Sequence, residues 1–164
     1  MKVKKTNPDT TVEVLIPDFQ GRRELVQQVI GAAPHIIAHN METVRRLTPE
    51  VRSVARYETS LTVLRQIAES GITCKTGIMV GLGETPAEVE ELMDDLRAVG
   101  CEILTIGQYL QPSHRHYNVA EYVTPEQFQR YKEIGMAKGF KQVESAPLVR
   151  SSYHAEQSLA FLKR

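Results

Sequence analysis

The sequence predicts an α/β protein built around a parallel β-sheet. Short apolar stretches alternate strictly with amphipathic helical stretches along the 164 residues. Such alternation is typical of strand–helix–strand units with right-handed crossovers. The predicted strands are also nearly continuous apolar runs, as expected when both faces of a sheet are covered.

The first half of the chain begins with a polar segment, residues 1–11, in which Asn7-Pro8-Asp9 is a turn signal. Hydrophobic periodicity then predicts two strands and two helices: strand 12–16, helix 23–33, strand 35–40 and helix 58–70. A long connection at 43–57, rich in arginine, joins the second strand to the second helix. Gly71 follows that helix, at a position where glycine favours the left-handed cap.

The second half continues the alternation and ends in a tail. Its predicted elements are strand 73–82, a helix from 86, strand 102–110, helix 125–138 and strand 142–146. Thr85-Pro86-Ala87-Glu88 and Thr124-Pro125-Glu126-Gln127 each combine a capping box with proline at the first helical position, so both predict helix starts. We divide the chain into a polar lead-in at 1–11, an α/β body at 12–146 and a tail at 147–164.

The composition argues against several functional classes. Hydrophobic residues make up 41% and charged residues 24% of the chain, which is typical of globular proteins. The 20 basic and 20 acidic side chains give no formal net charge, which argues against nucleic acid as the main partner. No apolar run approaches the roughly 20 residues that span a bilayer, and the polar N-terminus does not resemble a secretory signal.

The two cysteines, Cys74 and Cys101, are too few for a disulfide framework and lack a metal-ligand spacing such as C-x-x-C. The chain therefore cannot hold a cysteine-ligated cluster by itself. Both cysteines lie near the starts of predicted strands, so we expect them to be small buried apolar residues.

Polar side chains follow the predicted strands where each strand ends, which is the functional edge of a parallel α/β protein. His39 is a functional candidate there, with a hydrogen-bonded structural histidine as the alternative. The turn Gly81-x-Gly83-Glu84 could bring backbone close to an anion, but it is neither a dinucleotide fingerprint nor a P-loop. We interpret His114-x-His116 as a solvated loop rather than a metal site.

Seven segments resemble the lipoyl synthase family of radical S-adenosylmethionine enzymes, in family order over nearly the whole chain. They are VEVLIPDFQG (12–21), HNMETVRRLTPEVR (39–52), YETSLTVL (57–64), KTGIMVGLGET (75–85), ILTIGQYLQPS (103–113), YVTPEQF (122–128) and PLVRSSYHA (147–155). The resemblance implies the C-terminal part of a partial (βα)6 barrel. It also implies a sulfurtransferase that inserts two sulfurs, at C6 and C8, into an octanoyl chain carried on a protein lysine.

The resemblance further implies two [4Fe–4S] clusters and S-adenosylmethionine as cofactors. The partners would be octanoylated lipoyl domains or the glycine-cleavage H protein, in the cytoplasm, or in the mitochondrial matrix or a plastid of a eukaryote. Ser151, rather than Ser152, would be an oxygen ligand of the auxiliary cluster, supported by Arg150. The residues expected to bind the cofactor, or in some cases the substrate, are Asn40, Glu42, Lys75, Gly81, Gly83, Glu84, Gln108 and Tyr109.

The chain departs from the family because it has neither C-x-x-x-C-x-x-C nor the second three-cysteine motif. We therefore expect it to be the C-terminal half of such an enzyme, completed by an N-terminal half that could be a separate polypeptide. The alternatives are a non-catalytic remnant or a lipoyl-domain-binding half barrel. If the resemblance is set aside, a further hypothesis is a small α/β phosphate-ester enzyme that uses the turn at 81–84.

Overall fold

The computed structural model describes residues 2–151 of the chain, and it confirms the predicted parallel α/β architecture. The elements are α1 (Lys2–Thr6), β1 (Glu13–Leu15), a 3₁₀ turn (Phe19–Gly21), α2 (Arg23–Gly31), β2 (Ile36–Ala38), α3 (Thr48–Val51), α4 (Tyr57–Glu69), β3 (Thr73–Val80), α5 (Pro86–Ala98), β4 (Ile103–Gln108), α6 (Pro125–Ala137) and β5 (Gln142–Ser145). None of these helices has the length and apolarity that crossing a membrane requires.

The five strands of the described region form one sheet in the order β1-β2-β3-β4-β5, and every neighbouring pair is parallel. Spatial order thus follows chain order, as in an unclosed stretch of a barrel. Because all the strands run the same way, their carboxyl ends meet at one edge of the sheet. The loops after β2, β3 and β4 are therefore brought together there.

Two short helices lie where the sequence predicted none. The polar lead-in contains α1, which buries no side chain, so it has no apolar periodicity to reveal it. The arginine-bearing connection contains α3, which begins next to Pro49 and follows the buried residues Val44 and Leu47. The predicted strands are also longer than the observed ones by one or two residues at their ends.

One face of the sheet packs against the helices. Cys74 of β3 lies against α4, where its thiol contacts the carbonyl of Leu64 at 3.5 Å. Ser145 of β5 lies against α6 and donates to the carbonyl of Phe128 at 2.7 Å. Side chains alternate along a strand, so Lys75, Gly77 and Met79 face the opposite, concave side.

The two cysteines are free and fully buried, as expected from their positions at the strand starts. Hydrogen bonding to Cys101, followed by burial, raises the pKa of the Cys74 thiol well above its usual value. A protonated, inaccessible thiol is a poor nucleophile and a poor metal ligand. Both residues therefore serve as packing groups on the helix side of the sheet.

The two predicted capping boxes differ in the structure. At α5 the box is complete: Thr85 Oγ1 accepts from the Glu88 amide at 3.3 Å, and a Glu88 carboxylate oxygen accepts from the Thr85 amide at 2.8 Å. At α6, Thr124 Oγ1 accepts from the Gln127 amide at 3.3 Å. The reciprocal bond is not formed among the described residues, and Gln127 Nε2 is buried without a partner.

The complete box predicts a measurable cap. Thr85→Ala should lower the free energy of unfolding by about 1 kcal/mol, because one N-terminal amide of α5 loses its acceptor. Urea unfolding at neutral pH is the measurement. Thr62→Ala is the matched control, since Thr62 is exposed in the middle of α4 and alanine is the better helix former there. Equal losses in the two variants would contradict the capping role.

Candidate functional site

A cleft of about 200 Å³ opens on the concave side at the carboxyl edge of the sheet. It lies over β3 and β4, and the end of β2 and the beginning of the tail complete its wall. Its lining residues are Asn40, Glu42, Gly77, Ile78, Met79, Thr105, Gly107, Gln108, Leu110, Val149, Arg150 and Ser151.

Glu42 is held at this cleft by its backbone. Its amide donates to the carbonyl of Gly77 at 3.1 Å, and its carbonyl accepts from the amide of Met79 at 2.9 Å. These bonds continue the parallel pairing beyond the end of β2. They hold Glu42 in the left-handed region at φ 67°, a conformation that costs a residue with a side chain roughly 1 kcal/mol or more and is concentrated at functional sites.

The polar groups of Asn40 and Glu42 form the hydrophilic end of the cleft. Burial raises the pKa of Glu42, and the hydrogen bond from Asn40 and the positive charge of Arg52 oppose that rise. Asn40 Oδ1 is buried and has no hydrogen-bond partner in the described structure. A buried acceptor of this kind is normally satisfied, so Asn40 Oδ1 is available to accept a hydrogen bond from a bound molecule or from water.

His39 lies behind this end of the cleft and has a structural role. Its Nδ1 lies 3.0 Å from the carbonyl oxygen of Ile16, and its Nε2 lies 2.9 Å from Ser60 Oγ. A carbonyl only accepts, so Nδ1 carries the proton, and burial lowers the pKa of His39. Ser60 then donates to Nε2 and itself accepts from Arg52 at 2.9 Å. This buried chain of bonds fixes the segment that leads into Asn40.

The glycine-rich turn after β3 is closed by its own glutamate. The two carboxylate oxygens of Glu84 accept from the amides of Gly81 at 2.6 Å and Leu82 at 2.9 Å. Gly81 has φ 95°, and a Cβ there would lie 2.2 Å from Gln108 Nε2. The carboxylate and these two amides are thus committed within the turn, and Gly83 faces a separate surface groove, with Arg46 and Tyr117.

Arg46 ties the connection after β2 to this turn and to α5. Its guanidinium bonds both carboxylate oxygens of Glu88, at 2.7 and 3.0 Å, and the carbonyl of Gly83 at 2.8 Å. The Arg46 hydrogen bond, reinforced by the amide of Thr85, lowers the pKa of Glu88 to about 2.

Lys75 lies outside the cleft, although the resemblance assigns it to the cofactor site. It is 2% exposed, and its ammonium bonds both carboxylate oxygens of Glu13, at 2.8 and 3.1 Å. Strand β2 lies between β1 and β3, and its Ala38 pairs with Lys75. The long lysine side chain therefore crosses β2 to reach Glu13 on β1. The pair occupies the concave side one layer below Gly77.

Gln108 and Tyr109 also commit their polar atoms to the protein. The side-chain amide of Gln108 donates through Nε2 to the carbonyls of Tyr109 and Glu121, each at 3.0 Å. Its Oε1 accepts from the backbone amide of Val123 at 2.9 Å. The Tyr109 hydroxyl donates to the carbonyl of Tyr117 at 2.7 Å. Both residues therefore hold the loop between β4 and α6 against the sheet, and their predicted contacts to cofactor or substrate stay predictions.

The tail returns to the cleft after β5. Arg150 and the half-buried Ser151 line it together with Asn40 and Glu42. Segments far apart in the sequence thus meet at one place. Ser152 and the rest of the RSSYHA segment lie outside the described residues.

Several lining residues were not predicted as site residues. Gly77 and Gly107 lie inside apolar strands, where an isolated glycine signals close approach of another group, so the sequence held a usable signal for both. Met79, Thr105, Leu110 and Val149 carried no such signal, because their types are ordinary for strands and loops.

The described residues contain no group of three or more histidine, cysteine or acidic side chains arranged to hold a metal ion. Cys74 and Cys101 lie on the helix side of the sheet, away from the cleft. His116 contacts Ser113 at 2.9 Å in an exposed loop, in agreement with the prediction of a solvated loop. A [4Fe–4S] cluster requires mainly thiolate ligands, so the described residues alone do not fit one.

The fold and the site define a class of protein: a partial parallel α/β barrel with a cleft lined by polar groups at the carboxyl edge of its strands. A model of the radical SAM superfamily matches residues 1–96. The chain belongs to the radical SAM superfamily.

Several curated relatives that match the chain are named lipoyl synthase. The protein from Bacteroides fragilis is 74% identical over 160 residues, which are 98% of this chain and 56% of that protein. The protein from Treponema denticola is 63% identical over 155 residues, 94% of this chain and 53% of that protein. The chain thus spans slightly more than half the length of the curated relatives it matches.

A solved structure supports the fold independently. A domain of pyruvate-formate lyase-activating enzyme from Bacteroides vulgatus superimposes with a TM-score of 0.61 at 15% sequence identity, covering 82% of each chain. At that identity the similarity concerns the architecture alone.

The Lys75–Glu13 pair predicts a large stability loss when one partner is removed. Glu13→Gln should lower the free energy of unfolding by roughly 3 kcal/mol, because it leaves the buried ammonium without its counter-charge. The double variant Glu13→Leu/Lys75→Met should restore most of that loss. Lys141→Gln, which breaks an exposed pair with Glu102, is the control and should cost less than about 1 kcal/mol. A small effect of Glu13→Gln in denaturant unfolding would show that Lys75 does not depend on Glu13.

The Arg46–Glu88 pair predicts a pH effect. The pKa of Glu88 is lower in the folded protein than the roughly 4.3 of a free side chain, so its contribution to stability is present above about pH 4 and is lost as the pH falls toward 2. Titration of the Glu88 carboxyl by NMR should give a midpoint near 2, and Arg46→Ala should raise that midpoint. Arg115→Ala, in the same surface groove, should not move it. An unchanged Glu88 titration in Arg46→Ala would contradict the pairing.

Proposed function

We propose that this chain forms the carboxyl-terminal part of a lipoyl synthase, which inserts sulfur at C6 and C8 of an octanoyl chain bound to a protein lysine. The observation that carries the proposal is the cleft shared by Ser151, Asn40 and Glu42. It joins the tail to the carboxyl ends of the strands. The 74% identity to the Bacteroides fragilis lipoyl synthase supports the choice within the superfamily.

The hydrophilic end of the cleft fits S-adenosylmethionine, whose ribose carries two hydroxyl donors. Asn40 Oδ1 is a buried acceptor without a partner among the described residues, and Glu42 offers a carboxylate beside it. Gly77 lies beside this end of the cleft, and its missing side chain leaves room for Thr105 Oγ1 and Asn40 Oδ1, which lie 2.7 and 3.1 Å from the position of a Cβ. When bound, S-adenosylmethionine would supply the carbon radical that removes hydrogen from the substrate.

The apolar side chains of the cleft fit the acyl chain. Met79 and Leu110 line the cleft, and Leu110 is half exposed. An octanoyl group is apolar along its length, so these side chains would bind it and exclude water from the carbons that react. The protein partner would be an octanoylated lipoyl domain or glycine-cleavage H protein, and the site of action would be the cytoplasm, as the resemblance implies.

The iron–sulfur clusters need ligands from outside these 164 residues, because both cysteines of the chain are buried away from the cleft. The proposal therefore includes an N-terminal cysteine-bearing segment, in the same protein or in a separate polypeptide. Ser151 would contribute an oxygen ligand to an auxiliary cluster. Oxygen is a harder ligand than thiolate, and Arg150 would offset the negative charge of the site.

The test joins the N-terminal portion of the Bacteroides fragilis relative to this chain and reconstitutes the protein with iron and sulfide in the absence of oxygen. Lipoyl product and 5′-deoxyadenosine are then measured separately by mass spectrometry, with an octanoylated H protein as substrate. We expect both products from the parent protein. Absence of lipoyl product, with the protein folded and its clusters formed, would contradict the proposed function.

Ser151→Ala should lower lipoyl product by about tenfold or more, the scale expected when a group supporting a metal site is removed. It should leave 5′-deoxyadenosine formation close to the parent value, because the cofactor end of the cleft is intact. Ser152→Ala is the matched control and should retain both activities. Equal loss of both products in Ser151→Ala, or a larger loss in Ser152→Ala, would contradict the role given to Ser151.

A further inference from the structure

We propose that Gly107 is a positioning residue, whose missing side chain lets the tail cross β4 in contact with its backbone and so sets Ser151 at the cleft. Gly107 lies in β4 opposite Met79 of β3. It therefore faces the concave side, where the tail passes.

The strongest observation is how closely the tail backbone approaches Gly107. A Cβ built there would lie 2.2 Å from the carbonyl oxygen of Val149 and 3.2 Å from its carbonyl carbon. These neighbours are backbone atoms, which cannot move aside as the end of a flexible side chain can. Any residue other than glycine at 107 is therefore incompatible with the observed path of the tail.

Two backbone hydrogen bonds fix the tail just before this crossing. The backbone amide of Gln108 donates to the carbonyl of Pro147 at 3.2 Å. This bond lies beyond the last paired residues of β4 and β5. The amide of Val149 donates to the carbonyl of Ala146 at 3.1 Å, which closes a turn. The Val149 side chain is buried, whereas that of Leu148 is exposed. The chain is thus turned back and anchored at Val149, two residues before Ser151.

Arg150 completes the crossing. Its Nη1 donates to the carbonyl of Val149 at 2.8 Å and lies 3.4 Å from the position of a Cβ on Gly107. The Val149 carbonyl, which lies close to Gly107, therefore accepts a hydrogen bond from Arg150, the residue before Ser151. This docking is a property of the polypeptide and holds whether or not Ser151 binds iron.

The test measures tail docking directly, in the full chain carrying Val149→Cys, because the Val149 side chain is 2% exposed when the tail is docked. Labelling of the introduced thiol by a maleimide reports how often the tail leaves the cleft, since Cys74 and Cys101 are buried. Gly107→Ala should raise the labelling rate by about tenfold or more, because that rate follows the population of the open form. Amide exchange at Gln108 and Val149 should accelerate with it.

Two glycine-to-alanine controls distinguish the tail from the rest of the molecule. A Cβ at Gly31 has no neighbour within 4 Å, and one at Gly77 meets the side chains of Thr105 and Asn40 rather than the tail. Neither variant should change the labelling rate. An unchanged rate in Gly107→Ala, or an equal increase in Gly77→Ala, would overturn the proposal.

A second pair of variants covers the case in which Gly107→Ala unfolds the protein. When the chain is ended after Ala146, the clash with Val149 is absent, so Gly107→Ala should no longer lower the melting temperature relative to the same truncated chain. An equal loss of melting temperature in the truncated and full chains would show that alanine at position 107 clashes with something other than the tail, and would overturn the proposal. Failure of the Ser151→Ala activity test would leave these outcomes unchanged, so the two proposals fail separately.

Discussion

The candidate site depends on parallel backbone pairing that continues past the end of β2. Two hydrogen bonds, from Glu42 to Gly77 and from Met79 to Glu42, attach the residue after Met41 to the central strand β3. Without them the backbone pairing with β3 would end at the bond from the His39 amide to the Lys75 carbonyl, and the backbone of Glu42 would not be held at the cleft. The bonds also require the left-handed backbone at Glu42. The cleft is thus built by extending the sheet for one residue at the cost of local strain.

Backbone rather than side chains determines which polar groups are available to a ligand. Glu84, Gln108 and Tyr109 were all expected to contact the cofactor or substrate, yet their polar atoms bind amides, carbonyls and the loop after β4. Asn40 differs because its Oδ1 has no partner within the described residues. Asn40 Oδ1 is therefore available to a hydrogen-bond donor, whereas the committed groups give the surrounding loops a fixed shape.

The fold could be predicted from the sequence because it follows from periodicity and from local caps. The strand–helix alternation and the Thr85 capping box each act over a few residues, and both are observed. The site could be predicted only in part. Asn40 and Glu42 follow a predicted strand end, and Ser151 was selected from a family resemblance. The pairing of Lys75 with Glu13, in contrast, depends on three strands and has no signature in either segment. Sheet register and tail path are set by distant contacts, so sequence spacing does not encode them.

The buried pair of Lys75 and Glu13 has a consequence for self-association. Within the described region β1 is an outer strand of the sheet, and its three residues offer unpaired amides and carbonyls to any extended peptide. Glu13 turns a charged group inward at that strand, and the pair with Lys75 must stay intact for the charge to be tolerated. Inward charge and short length are two means by which proteins discourage strand addition at an open edge. The same ion pair that stabilises the interior therefore also limits edge-to-edge aggregation.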